Sequence, residues 1–186
     1  MEKEKSLVLS LLVQLSELTS GLVFASVSIL AFFTPFTLGH PQWLVGTVVN
    51  ACLFLTAIYL PKKYFIPLSI LPSLGVLARG LIFGPLTLFL VYFLPFIWLG
   101  NLTLLLVFKK LFSKSRFIFA SVISSVTKFL FLFLLANIYL KLSIVPAVFL
   151  QAMGLNQLAT ALVGGLTAFI IFKTYARFFG RGNGAS

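Results

Sequence analysis

Residues 117–139 read FIFASVISSVTKFLFLFLLANIY. This run of 23 residues carries one charge, Lys128, and neither proline nor glycine. A helix needs roughly 20 apolar residues to cross the ~30 Å hydrocarbon layer of a bilayer. The run therefore predicts a membrane-spanning helix with a lysine near its middle. Working outward, five further apolar segments of similar length occupy about 10–34, 43–60, 64–82, 86–108 and 155–175. The fold class this predicts is all-α: a polytopic membrane protein built as a six-transmembrane-helix bundle. Pro67 and Pro72 interrupt the third segment and Gly75 follows, so that helix is expected to be kinked or broken. Residues 1–179 form a single transmembrane domain in this reading, and 180–186 (GRGNGAS) a flexible tail.

Composition supports the same class. Of 186 residues, 60% are hydrophobic and 9% charged. A soluble domain carries about 25% charged residues, and a chain with so few cannot coat a water-facing surface. Such a composition also excludes a disordered chain. Cys52 and His40 are the only cysteine and histidine, which excludes an internal disulfide and a Cys/His metal or iron–sulfur site. No metal and no cofactor is expected. The net charge of +11 would indicate nucleic acid in a soluble protein. In a membrane protein it reports topology and attraction to an anionic lipid face. The expected partner is the lipid bilayer, with no nucleic acid.

Eleven of the fourteen basic residues fall on one side of the six-span scheme. They are Lys3 and Lys5, Lys62 and Lys63, Lys109, Lys110, Lys114 and Arg116, then Lys173, Arg177 and Arg181. Only Arg79 and Lys141 fall on the other side, and Lys128 lies within a span. By the positive-inside rule both termini are cytoplasmic and the number of spans is even. The apolar run Leu7–Phe33 is far longer than a signal-peptide core, and Glu2 and Glu4 offset its flanking lysines. It reads as a retained helix.

Two spans carry stripes of small and polar residues. In the first, Ser6, Ser10, Gln14, Glu17, Gly21, Ala25 and Ser28 recur every three or four positions. The last repeats the device with Thr160, Gly164 and Ala168 beside Ala161 and Gly165. Small residues let helix backbones approach closely in lipid. The stripes serve packing within the bundle or, alternatively, docking of another membrane protein.

Lys128 carries the most information. A lysine at midplane costs roughly 2.5–3.5 kcal/mol on insertion scales, and its stem cannot easily reach either interface. It calls for a partner: Glu17 in a buried structural pair, a ring of carbonyls, or an anionic ligand. Arg79, at the outer end of the third span, is an interfacial anchor or a guanidinium suited to carboxylate or phosphate. Asn50, Asn101, Asn156 and Gln157 add neutral polar groups. Asn156 and Gln157 open the last span, where free N–H groups favour an anion. With Lys128 below them, the outer ends of the third and last spans are expected to form a small cationic pocket open to the outside. Candidate substrate contacts are Lys128, Arg79, Asn101, Gln157, Asn156 and Asn50, with Trp98 as a wall. His40 is expected to serve its loop through a hydrogen bond, and Trp43 to anchor at the interface. No phosphate-binding G-x-x-x-x-G-K-[ST] loop, HExxH, nucleophile elbow or acid pair occurs in the sequence. An enzyme is therefore not expected.

Pro72-Ser-Leu74, Phe93-Leu-Pro-Phe-Ile-Trp-Leu-Gly-Asn101, Ser125-Val-Thr-Lys-Phe-Leu-Phe131 and Gln157-Leu-Ala-Thr-Ala-Leu-Val-Gly-Gly-Leu-Thr-Ala168 resemble a family of small bacterial membrane proteins. That family is similar to the substrate-binding S components of energy-coupling factor (ECF) transporters, and the resemblance covers most of 40–175. It implies a six-helix protein that captures a vitamin or other micronutrient from outside. It further implies association with a transmembrane coupling protein and two cytoplasmic ATPase subunits, in the plasma membrane of a prokaryote. Docking in such proteins uses an Ala-x-x-x-Ala pattern on the first helix. Gly21-x-x-x-Ala25 occupies the matching place here, with Ser28 one turn on and Gly in place of the first Ala. The substrate-binding residues of vitamin-specific members have no counterpart in this chain. The resulting expectation is a capture subunit for a small anionic micronutrient. Its rivals are a structural or assembly-factor membrane protein without ligand, and a small standalone carrier.

Overall fold

The computed structural model describes residues 2–38, 41–83 and 87–179, and their side chains except those of 2–8, 11–12, 81–83, 87–88, 114 and 179. The expectations for His40 and for the tail 180–186 lie outside the described residues. Among the described residues seven α-helices follow one another: α1 (Glu2–Thr37), α2 (Gln42–Tyr59), α3 (Phe65–Phe83), α4 (Thr87–Leu111), α5 (Phe117–Lys141), α6 (Val148–Met153) and α7 (Leu155–Phe179). Single 3₁₀ turns, Lys62–Tyr64 and Lys114–Arg116, lead into α3 and α5. No strand occurs among the described residues. The six long helices coincide with the six expected segments. The short α6 was not expected. It ends at Gly154, where a Cβ would lie 2.5 Å from the Leu150 carbonyl oxygen and 2.9 Å from the Phe133 ring. Only glycine fits that close turn into α7.

Among the described residues, five helical stretches are long and apolar enough to cross a membrane: Val13–Thr37, Gln42–Tyr59, Phe89–Leu111, Phe117–Lys141 and Val148–Phe178. Their outward faces expose Leu22, Ile29, Phe33, Leu99, Leu134, Ile138 and Ile170. A continuous apolar surface of that kind suits lipid rather than water. The protein is a multi-pass helical membrane bundle.

Contacts set the helix directions. In α1 and α3, Phe24 stacks on Tyr64 and Arg79 reaches the carbonyls of Phe36 and Thr37, so these two run parallel. In α2 and α7, Gly46 faces Thr160, Gly164 faces Asn50 and Tyr59 meets Tyr175, so these also run parallel. Antiparallel passes lie between them, with Asn101 of α4 bonded to Ser69 of α3 and Gly100 against Leu132 of α5. Consecutive passes therefore alternate, and Lys62, Lys63, Lys109, Lys110, Arg116, Lys173 and Arg177 gather at one end of the bundle. That end encloses rings of Phe54, Phe108, Phe112, Phe117, Phe169 and Phe172. A second apolar cluster around Phe93, Leu132, Phe149 and Met153 fills the opposite end.

The third long helix, α3, is not among those five stretches, and it is continuous despite its prolines. Pro67 sits in the first turn of α3, where its missing N–H is not needed. Pro72 lies inside, and helix continues through it to Phe83. The Leu68 carbonyl loses its usual donor there. Polar groups cluster at this point: the Ser69 hydroxyl donates to Phe65 O at 2.7 Å, and the Asn101 amide from α4 donates to Ser69 O at 2.9 Å.

Candidate functional site

α7 packs most extensively on α2, because glycine faces the other helix at two levels. A Cβ on Gly46 would stand 2.9 Å from the Thr160 side chain, and one on Gly164 would stand 2.8 Å from Asn50 Cβ. At this near-contact of backbones sits Asn50, 1% exposed. Its amide nitrogen donates to Gly46 O at 2.8 Å and to Thr160 Oγ1 at 3.2 Å. Its Oδ1 accepts from Lys128 Nζ of α5 at 2.8 Å. Thr160 in turn donates to Asn156 O at 2.7 Å. One amide thus ties together α2, α5 and α7. Lys128 is 2% exposed and is the twelfth of the 25 residues of α5.

Of the three partners considered for Lys128, Glu17 is not the one it meets. Glu17 is exposed on α1, and among the described residues no carboxylate reaches Lys128. Among the described residues, the buried Lys128 amine has one hydrogen bond, to the neutral amide oxygen of Asn50. An ammonium has three N–H donors.

The other candidate residues do not converge on Lys128, so the expected outward pocket is not assembled from them. Arg79 donates to the carbonyls of Phe36 and Thr37 and completes the last turn of α1. Trp98 Nε1 donates to Ser73 Oγ at 2.6 Å, and Asn101 serves Ser69 O. Both bind α4 to α3 beside Pro72, which is a structural task. Asn156 Nδ2 donates to Gln42 Oε1 at 3.3 Å. Gln157 is half-buried at the start of α7, with no side-chain hydrogen bond among the described residues. If Asn101 is structural, Asn101→Leu leaves Ser69 O without that donor and should cost about 1–3 kcal/mol. Chemical unfolding in detergent measures this loss, and any anion response of the protein should persist in the variant.

No protein-family model, curated protein or solved structure matches this chain.

The two small-residue stripes separate in the structure. The α7 stripe is internal: Ala161 and Ala168 are fully buried, and Gly164 meets Asn50, Ala51 and Thr47. The α1 stripe is not. α1 packs through Val27, Ala31 and Pro35, whereas Ala25 is exposed and a Cβ on Gly21 would meet nothing within 4 Å. Ser28 turns inward, with its hydroxyl buried and unpartnered. A cavity of about 340 Å³ lies at the basic end, lined by Ser16, Glu17, Ser20, Pro61, Lys63 and Tyr64. Ser121, Ser124 and Ser125, all buried beside Lys128 on α5, were not among the candidates. Their spacing of three, four and seven residues before Lys128 is the signal that marks them.

Proposed function

We propose that this protein is the membrane-embedded capture subunit of an ECF-type uptake transporter, taking a small anionic micronutrient from outside. Lys128 carries the proposal: an amine buried at the middle of its helix, with one amide oxygen and no acid as partner among the described residues. An anion supplies the missing charge and accepts the remaining N–H donors. Lys128 and Asn50 are the substrate contacts in this reading, and Gln157 is the nearest uncommitted polar side chain along α7. The basic end faces the cytoplasm by the positive-inside rule, which places both termini there. The Gly21/Ala25 surface of α1, left unfilled by the rest of the chain, supports docking of the transmembrane coupling protein that works with the ATPase subunits.

A second reading is favoured by one observation. Arg79, Trp98, Asn101 and Asn156 all spend hydrogen bonds on neighbouring helices, as a structural or assembly-factor protein would use them.

Thermal unfolding of the detergent-purified chain against vitamins, precursors and small anions separates the two. A ligand at a hundredfold excess over its Kd should add about 2.7 kcal/mol of stability. One strong hit that disappears in Lys128→Met supports capture and names the cargo. Silence across the panel, with folded protein, leaves the structural reading. Uptake by proteoliposomes holding this chain alone would identify a standalone carrier instead.

A further inference from the structure

Hydroxyls on these helices commonly donate back to a carbonyl four residues earlier. Ser26 bonds Leu22 O, Thr56 bonds Cys52 O, Ser69 bonds Phe65 O, Ser124 bonds Ala120 O and Thr127 bonds Ile123 O. That bond satisfies a hydroxyl at no cost in neighbours. Ser121 and Ser125 break the habit. Both are buried, at 4% and 0% exposure, and neither hydroxyl has a hydrogen-bond partner among the described residues. A hydroxyl buried in an apolar medium without a partner is costly, so each such group calls for an explanation.

Position supplies one. Ser125 precedes Lys128 by three residues and Ser121 precedes it by seven, so the three share one face of α5. Gly165 of α7 stands opposite. A Cβ there would lie 3.3 Å from Ser121 Oγ and 3.2 Å from the Phe54 ring of α2. Glycine at 165 lets α7 close directly on Ser121, whose own Cβ would lie 3.1 Å from an added Cβ. Its neighbour Gly164 admits Asn50, and Asn50 receives Lys128. Lys128, with Asn50 as its one partner, thus shares a face of α5 with two hydroxyls that have no partner among the described residues.

Resting on the capture reading, we propose that Ser121 and Ser125 complete an oxyanion cradle with Lys128, received between α5 and α7. Its ligand chemistry is a carboxylate or phosphate group of the captured solute. Hydroxyls suit this because they rotate to donate and because hydrogen bonds to an ionised oxygen are about twice as strong as neutral ones. Lys128 neutralises the charge, and the serines orient the oxygens.

The test titrates purified protein in detergent with sodium formate, sodium acetate and inorganic phosphate, at ionic strength held constant with chloride, and follows thermal unfolding. The double variant Ser121→Ala/Ser125→Ala is expected to unfold at the wild-type temperature or higher without probe, since its hydroxyls have no partner to lose. Its apparent Kd for the best probe should weaken at least tenfold. A formate and acetate response without phosphate identifies a carboxylate cradle, and the converse a phosphate cradle. A double variant with wild-type Kd overturns the assignment of the serines while leaving Lys128 as the capture site. A double variant that loses probe-free stability makes the serines structural, which also overturns it. Wild-type protein that ignores all three probes overturns the cradle. The capture reading falls as well only if the wider solute panel is also silent.

Discussion

Gly164→Val is expected to unseat α7 from α2 and leave little folded protein. The added Cβ would stand 2.8 Å from Asn50 Cβ and 2.9 Å from both Ala51 N and Thr47 O. Two of these three atoms are backbone, so no rotamer change relieves the clash and the helices must separate. Overpacking alone typically costs about 1–3 kcal/mol. Separation adds the loss of the Asn50–Thr160 hydrogen bond and of the seat that Asn50 makes for Lys128. A total of about 3 kcal/mol or more follows, in the range where single substitutions unfold proteins. Cys52 reports the outcome. It is the only cysteine, lies on α2 and is 3% exposed. It should resist a maleimide in detergent-purified wild type and react quickly in Gly164→Val. Gly21→Val is the matched control, because nothing lies within 4 Å of its Cβ. That variant should match wild type in stability and Cys52 protection. If α1 docks a coupling protein, it should also fail to co-purify with it. A Gly164→Val protein with protected Cys52 would mean that the α2–α7 contact is looser than the geometry requires.

The six long helices were legible because each crossing needs a run of apolar residues too long to hide. The basic end was legible for a related reason, since charge between spans has few places to go. The α7 stripe was legible as a packing face, since Thr160, Gly164 and Ala168 follow a single helical row. Rotation of one helix against another was not. Glu17 shares a periodic face with Gly21 and Ala25, yet it is exposed at the basic end beside Lys63 and Tyr64, and Lys128 meets Asn50 instead. Periodicity marks which residues share a face and is silent on the neighbour. The roles of Asn101 and Trp98 were hidden for a different reason. Their partners are the carbonyl of Ser69 and the hydroxyl of Ser73, brought beside them only when α3 continues through Pro72 and packs on α4. The short α6 escaped because its six residues carry too little periodic signal to stand apart from a loop.

Lys128→Met is expected to remove every anion response while leaving the bundle folded, and its effect on stability has an informative sign. A lysine at bilayer depth costs roughly 2.5–3.5 kcal/mol, and methionine of similar length carries no such cost. Against this gain, Asn50 Oδ1 loses its donor, a loss of about 1–3 kcal/mol for a buried acceptor. The single variant should therefore lie between a loss of about 0.5 kcal/mol and a gain of about 2.5 kcal/mol. Lys128→Met/Asn50→Leu removes the stranded acceptor as well. Replacing a buried polar pair by apolar side chains of similar size is often neutral or stabilising, by about 1–4 kcal/mol. The double variant should thus be at least as stable as wild type. A structural staple behaves otherwise: each single variant loses stability, the double recovers part of it, and no anion response exists to lose. Denaturant unfolding of the four proteins, with and without the best anion, distinguishes these patterns. Gained stability together with a lost anion response would mean that Lys128 is retained for what it binds, because the fold alone does better without it.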